Sequence, residues 1–134
     1  MSRLDCLNAE WPLRPAAALP GVHVMAKLPK PPDTFVEFTR QFPQIAEAWR
    51  LVQDAGQVGP FDEKTQRLVK LAVAIGTMRE GSVHSAVRKA VAFGVTKEEI
   101  DQTLALAAGT LGFPASVAAF SWVRDELAKG AETP

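Results

Sequence analysis

From residue 33 onward, apolar positions recur at intervals of three and four, and proline or glycine separates the segments they mark. That period belongs to helices with one face turned inward. Pro29, Pro31 and Pro32 make a stiff approach, and Asp33 is placed to cap a first helix with an aromatic stripe of Phe35, Phe38 and Phe42. Proline is tolerated in a first helical turn, so Pro43 opens a second helix to about residue 55, with Ile45, Ala48, Trp49 and Val52 expected inward. Gly56, Gly59 and Pro60 mark a loop. Asp62 then caps a third helix, from 63 to 76 or 78, which Leu68, Val69, Leu71, Ala72 and Ile75 make apolar on more than one face.

After a break at 76–80, Val83, Val87, Ala90 and Val91 stripe a fourth helix that Gly94 stops. Thr96 and Glu99 read as a capping box, flanked by Val95 and Ile100 as a hydrophobic staple. The fifth helix runs from 97 to 110 and is expected to bury Ile100, Leu104 and Leu106, with Gly109 and Gly112 ending it. Phe113 and Pro114 lead into a sixth, from 115 to about 129, with Val117, Ala118, Phe120, Ser121 and Val123 inward, Trp122 at the edge and fraying after Gly130. No alternating strand pattern competes, so the fold class is all-α, with about six helices.

Residues 1–28 differ. They carry Pro12, Pro15, Pro20 and Gly21 without a sustained period, and read as an extended N-terminal arm before a single helical domain at 29–134. The arm has no basic start, long apolar stretch or cleavage site of a secretory signal, and Met25 is an alternative start.

Composition narrows the function. A chain of 134 residues builds one core. Fifteen basic residues balance fifteen acidic ones, so no whole-chain field draws nucleic acid or an anionic membrane. Apolar residues make up 47% of the chain, yet no run approaches the roughly eighteen needed to span a bilayer. Cys6 stands alone, which removes internal disulfides, cysteine zinc clusters and Cys-x-x-Cys redox pairs. A soluble cytoplasmic protein is expected, and three helices apolar on several sides predict contacts with other copies of the same chain.

Candidate chemistry gathers on the fourth helix. Glu80, His84 and Arg88 stand four residues apart and share a face. An imidazole titrates near neutrality, which suits His84 to acid–base work with Glu80 orienting its ring, while Arg79 or Arg88 holds a substrate carboxylate. The competing reading is a solvated ladder of ion pairs. Glu80 and His84 could also ligate an ion from adjacent turns, but two ligands are too few unless symmetry-related chains add more, and neither a metal nor a cofactor is expected.

Four elements in order carry a family resemblance: the helix Asp62 to Gly76, the motif Glu80-Gly81-Ser82-Val83-His84-Ser85, the capped start Gly94 to Ile100, and Thr110-Leu111-Gly112-Phe113-Pro114-Ala115 before an alanine-rich helix. Over 61–127, about half its length, the chain resembles the carboxymuconolactone decarboxylase and alkylhydroperoxidase D superfamily. The resemblance implies a compact all-α domain assembled as a homotrimer or homohexamer, with its site near a subunit interface. In peroxidase members a Cys-x-x-Cys pair, a following histidine and a glutamate on the preceding helix do the work. Their counterparts here are Arg79 and Ser82, Ala86, and a position near Arg67. A peroxidatic step needs a thiolate and a resolving thiol, so thiol peroxidase activity is not expected. The decarboxylase branch is closer, because its members resemble Arg79-Glu80 and need no cysteine pair. Its helix histidine again falls at Ala86, and His84, two residues earlier, points about 200° away around the helix.

Two functions remain open from sequence. One is decarboxylase-like proton transfer, a lyase or lactone and carbonyl chemistry on a small carboxylate-bearing substrate. The other is a non-catalytic oligomeric binding or scaffold protein, for which a buried Arg67 or Arg79 indicates anion binding.

Overall fold

A computed structural model describes residues 28–131, and these form six helices: α1 (Asp33–Gln41), α2 (Pro43–Ala55), α3 (Glu63–Gly76), α4 (Glu80–Ala92), α5 (Lys97–Leu111) and α6 (Phe113–Ala131). The described residues contain no strand. The arm expected at 1–28, with Cys6 and His23, lies outside the described residues up to residue 27.

Local sequence places the helix ends. The Asp62 carboxylate accepts the Thr65 backbone N–H at 2.7 Å and starts α3. At the end of α4, Gly94 takes φ +79°, and the N–H groups of Gly94 and Val95 donate to the carbonyls of Val91 and Ala90. Those two bonds close a Schellman motif, which leads directly into the next cap. There Glu99 N donates to Thr96 Oγ1 at 3.2 Å and Thr96 N donates to Glu99 Oε2 at 2.8 Å, so the capping box is formed and α5 starts where expected. Val95 and Ile100 are both buried beside it. Helix α6 begins two residues earlier than expected, at Phe113, because Gly112 at φ +82° completes the turn out of α5.

Helices α3, α4, α6 and α5 form a closed ring of packed neighbours, α3 on α4, α4 on α6, α6 on α5 and α5 on α3. Leu71, Ile75, Val83, Val87, Ile100 and Val123 fill its centre with almost no exposed surface. Close approach is possible because Ala74, Ala90 and Ala119 sit among them. Thus α4 is packed by α3 on one side and by α6 on the other, which gives its outward residues two different environments.

Several inward expectations are corrected. Helix α1 packs on α2, and neither has a buried residue. Ile45, Trp49 and Val52 therefore stay 51%, 53% and 59% exposed, because α2 lies beside the four-helix ring and not within it. The Phe35, Phe38 and Phe42 stripe is open as well, with Phe38 and Phe42 resting on each other at 5.1 Å between ring centres. Val69, Leu106, Val117 and Phe120 also face outward. Each lies on a second apolar face of a helix whose first face already meets the ring. None of the described helices is long and apolar enough to cross a membrane.

Candidate functional site

The face of α4 that meets α6 carries the expected ladder. His84 Nε2 lies 3.5 Å from Glu80 Oε1, and Glu80 is largely exposed. The stronger partner comes from α6: His84 Nδ1 donates to Glu126 Oε2 at 2.9 Å, and Arg88 Nη1 donates to Glu126 Oε1 at 2.9 Å. Lys129 Nζ stands 3.8 Å from the same carboxylate. The Glu126 side chain is only 5% exposed, and both its oxygens are engaged. His84, at 14% side-chain exposure, is held at both ring nitrogens by acids. This cluster is a buried carboxylate compensated by charge-assisted bonds, the arrangement that makes burial of a charge tolerable.

The opposite face of α4 meets α3 and α2 across a cleft of about 450 Å³ lined by Trp49, Gln53, Arg67, Lys70, Ala74, Gly81, Ser82, Ser85, Ala86 and Lys89. That volume lies in the range of small-molecule sites. Three of its side chains are cations and none is a carboxylate. The Arg67 guanidinium lies 4.2 Å over the Phe93 ring, and its Nε is buried without a hydrogen-bond partner. Burial pulls the Arg67 pKa down, partly opposed by Glu63. Lys70 is lowered by burial and then by the charge of Arg67. Lys89 is lowered by loss of solvation around its amine, then by Arg67, Lys70 and Arg88. Lys89 as a residue is exposed, so water damps both effects. Physically, the cleft lining holds three cations that Glu63, acting on Arg67, offsets only in part, and a small anion would relieve the rest.

The structure thus divides the expected site residues between two faces. It brings Glu80, His84 and Arg88 together on the α6 side, outside the cleft lining, while Arg79 is exposed at the N-cap of α4. Three of the four positions that the family resemblance singled out, Arg67, Ser82 and Ala86, line the cleft together. Sequence reasoning missed Glu126, Lys70 and Lys89. The signal for Glu126 was present: Ala119, Val123 and Glu126 continue one buried stripe at helical spacing. For the lysines the pairing of α3 with α4 was needed first. Among the described residues, no group of three or more His, Cys, Asp and Glu side chains is disposed to hold a metal ion.

The sequence profile of the carboxymuconolactone decarboxylase family matches residues 43–125, from the first residue of α2 to near the end of α6. The match therefore takes in every element that lines the cleft. No curated protein and no solved structure matches the chain.

Proposed function

The chain belongs to the carboxymuconolactone decarboxylase family, and from that premise we propose that it takes a small carboxylate-bearing molecule into the cleft between α2, α3 and α4. The observation that carries this reading is the convergence of Arg67, Lys70 and Lys89 on a cleft lined by no carboxylate. Arg67 and Lys70 stand three apart on α3 and present charge to the same space, and the buried Arg67 Nε is a donor without an acceptor. A bound carboxylate supplies that acceptor and offsets the mutual repulsion of the three cations. Trp49 gives the open side of the cleft an apolar wall. In this reading His84 fastens α4 to α6 through Glu126 and takes no part in holding the ligand.

Self-association belongs to the same proposal. The exposed apolar residues of α1 and α2, with Val69, Val73, Leu106 and Phe113 on the ring, form the kind of surface that a second copy covers. A homotrimer or homohexamer is the expected assembly.

Thermal unfolding in the presence of small carboxylates and their methyl esters tests the binding reading, because a ligand of the folded state raises the melting temperature by mass action. Carboxylates raise it, esters do not, and Arg67→Ala abolishes the rise. Equal shifts with acids and esters would remove the assignment.

A further inference from the structure

Lys70 and Lys89 are set apart from the other lysines of the described residues. Lys30 pairs with Asp33, Lys64 with Glu99, Lys97 with Asp101, and Lys129 approaches Glu126. Lys70 and Lys89 both line the cleft and have no acid partner there. The two come from different helices, Lys70 with Arg67 from α3 and Lys89 from α4, which also contributes Ser82, Ser85 and Ala86 to the lining. A short ligand whose carboxylate rests on Arg67 and Lys70 shares the cleft with the Lys89 side chain.

We propose that Lys89 is an amine nucleophile that forms an imine with the carbonyl of a keto acid whose carboxylate is held by Arg67 and Lys70. The inference rests on the carboxylate-binding reading above and adds a reaction to it. Desolvation first, and then the neighbouring cations Arg67, Lys70 and Arg88, lower the Lys89 pKa and so raise the share of free amine above that of an ordinary lysine. Each unit by which a lysine pKa falls gives about ten-fold more free amine at neutral pH, and an amine beside other cations is a known route to an activated lysine. The cations on α3 serve twice: they hold the substrate's charge and, in the empty cleft, lower the pKa of the Lys89 amine.

The step balances without a further reagent. The nitrogen lone pair of Lys89 attacks the carbonyl carbon, the carbon–oxygen π pair moves to oxygen, and a proton passes from the nitrogen to that oxygen. Loss of the hydroxyl as water, with a second proton, leaves a protonated carbon–nitrogen double bond. With a β-keto acid, the bond to the carboxylate carbon then breaks and its electron pair moves into the iminium. Carbon dioxide departs and an enamine remains. A proton from water goes to carbon, and hydrolysis returns the ketone and the free amine. Decarboxylation by this route requires neither the thiols nor the histidine that the chain lacks at Arg79, Ser82 and Ala86.

The full-length chain is incubated with acetoacetate and sodium cyanoborohydride, which reduces an imine to a stable secondary amine, and modified lysines are located by peptide mass mapping. The expected result is labelling at Lys89 several-fold faster than at Lys30 or Lys97, with slower labelling in Arg67→Ala and no cleft adduct in Lys89→Arg. Circular dichroism establishes that each variant is folded. Melting curves with acetoacetate alone separate the two claims. A thermal rise without preferential Lys89 labelling overturns the imine and leaves carboxylate binding standing. Neither a rise nor labelling overturns both, and uniform labelling of all lysines also overturns the imine.

Discussion

His84 Nδ1 and Glu126 Oε2 lie 2.9 Å apart across 42 positions of chain, and with the Arg88 bond to the other carboxylate oxygen this contact fastens α4 to α6. Because Glu126 is buried, its loss leaves an imidazole N–H and a guanidinium without their acceptor. Replacing Glu126 by Ala is expected to cost about 1–3 kcal/mol of stability, read from urea unfolding. His84→Ala costs less, since Arg88 and Lys129 still face the carboxylate. Both variants should retain the thermal response to carboxylates, because neither residue lines the cleft. Loss of that response in a folded His84→Ala protein would give His84 a part in holding the ligand.

The capping box at the start of α5 gives a second prediction. Thr96 Oγ1 accepts from Glu99 N, and Glu99 Oε1 also meets Lys64 Nζ at 2.9 Å, tying the start of α5 to α3. Hydrogen bonding to Lys64 is the main reason the Glu99 pKa lies below the ordinary glutamate value. Thr96→Ala should lower stability by about 1 kcal/mol. Glu99 is partly exposed, so acidification that protonates it should weaken the tie only slightly.

How far sequence reached follows from which residues were set by local rules. The capping box, the Gly94 stop and the Val83, Val87 and Ala90 stripe needed only neighbours along the chain, and all were legible. The inward face of α2 was not. Ile45, Trp49 and Val52 have the spacing of a buried stripe, but spacing cannot say whether the cover comes from the same chain or from another copy. The cleft was illegible for a related reason. Arg67 and Lys70 share a face by spacing, whereas Lys89 joins them only once α3 and α4 are packed together. The His84 ladder was legible, yet its strongest bond comes from Glu126, on α6 and 42 positions further along the chain.

The exposed stripe on α2 is tested by charge. A lysine at position 52 places a solvated ammonium where an apolar contact between copies is expected. Val52→Lys should shift the mass measured by light scattering toward the monomer, with helicity by circular dichroism unchanged, because Val52 is 59% exposed and supports nothing in the ring. An unchanged mass would remove α2 from the assembly surface.

The cleft cations make a prediction about pH whose sign differs from that of an ordinary ion pair. The folded chain lowers the lysine pKa values at positions 70 and 89, so it disfavours their charged forms relative to the unfolded chain. Below the lowered values both states are fully protonated and the repulsion weakens folding by its whole amount. As pH rises through the folded values toward the ordinary lysine range, the unfolded chain binds more protons than the folded one, and linkage requires stability to increase. Above that range the penalty is gone. Lys70→Met should therefore stabilise the protein at neutral pH by a few tenths of a kcal/mol, a small figure because the site is partly hydrated, and should flatten the rise in alkali. A saturating carboxylate should flatten it too, by supplying the missing negative charge. Urea unfolding from neutral to alkaline pH, with and without ligand, measures both slopes. A parent protein that loses stability steadily across that window would show that the three cations do not repel one another in solution.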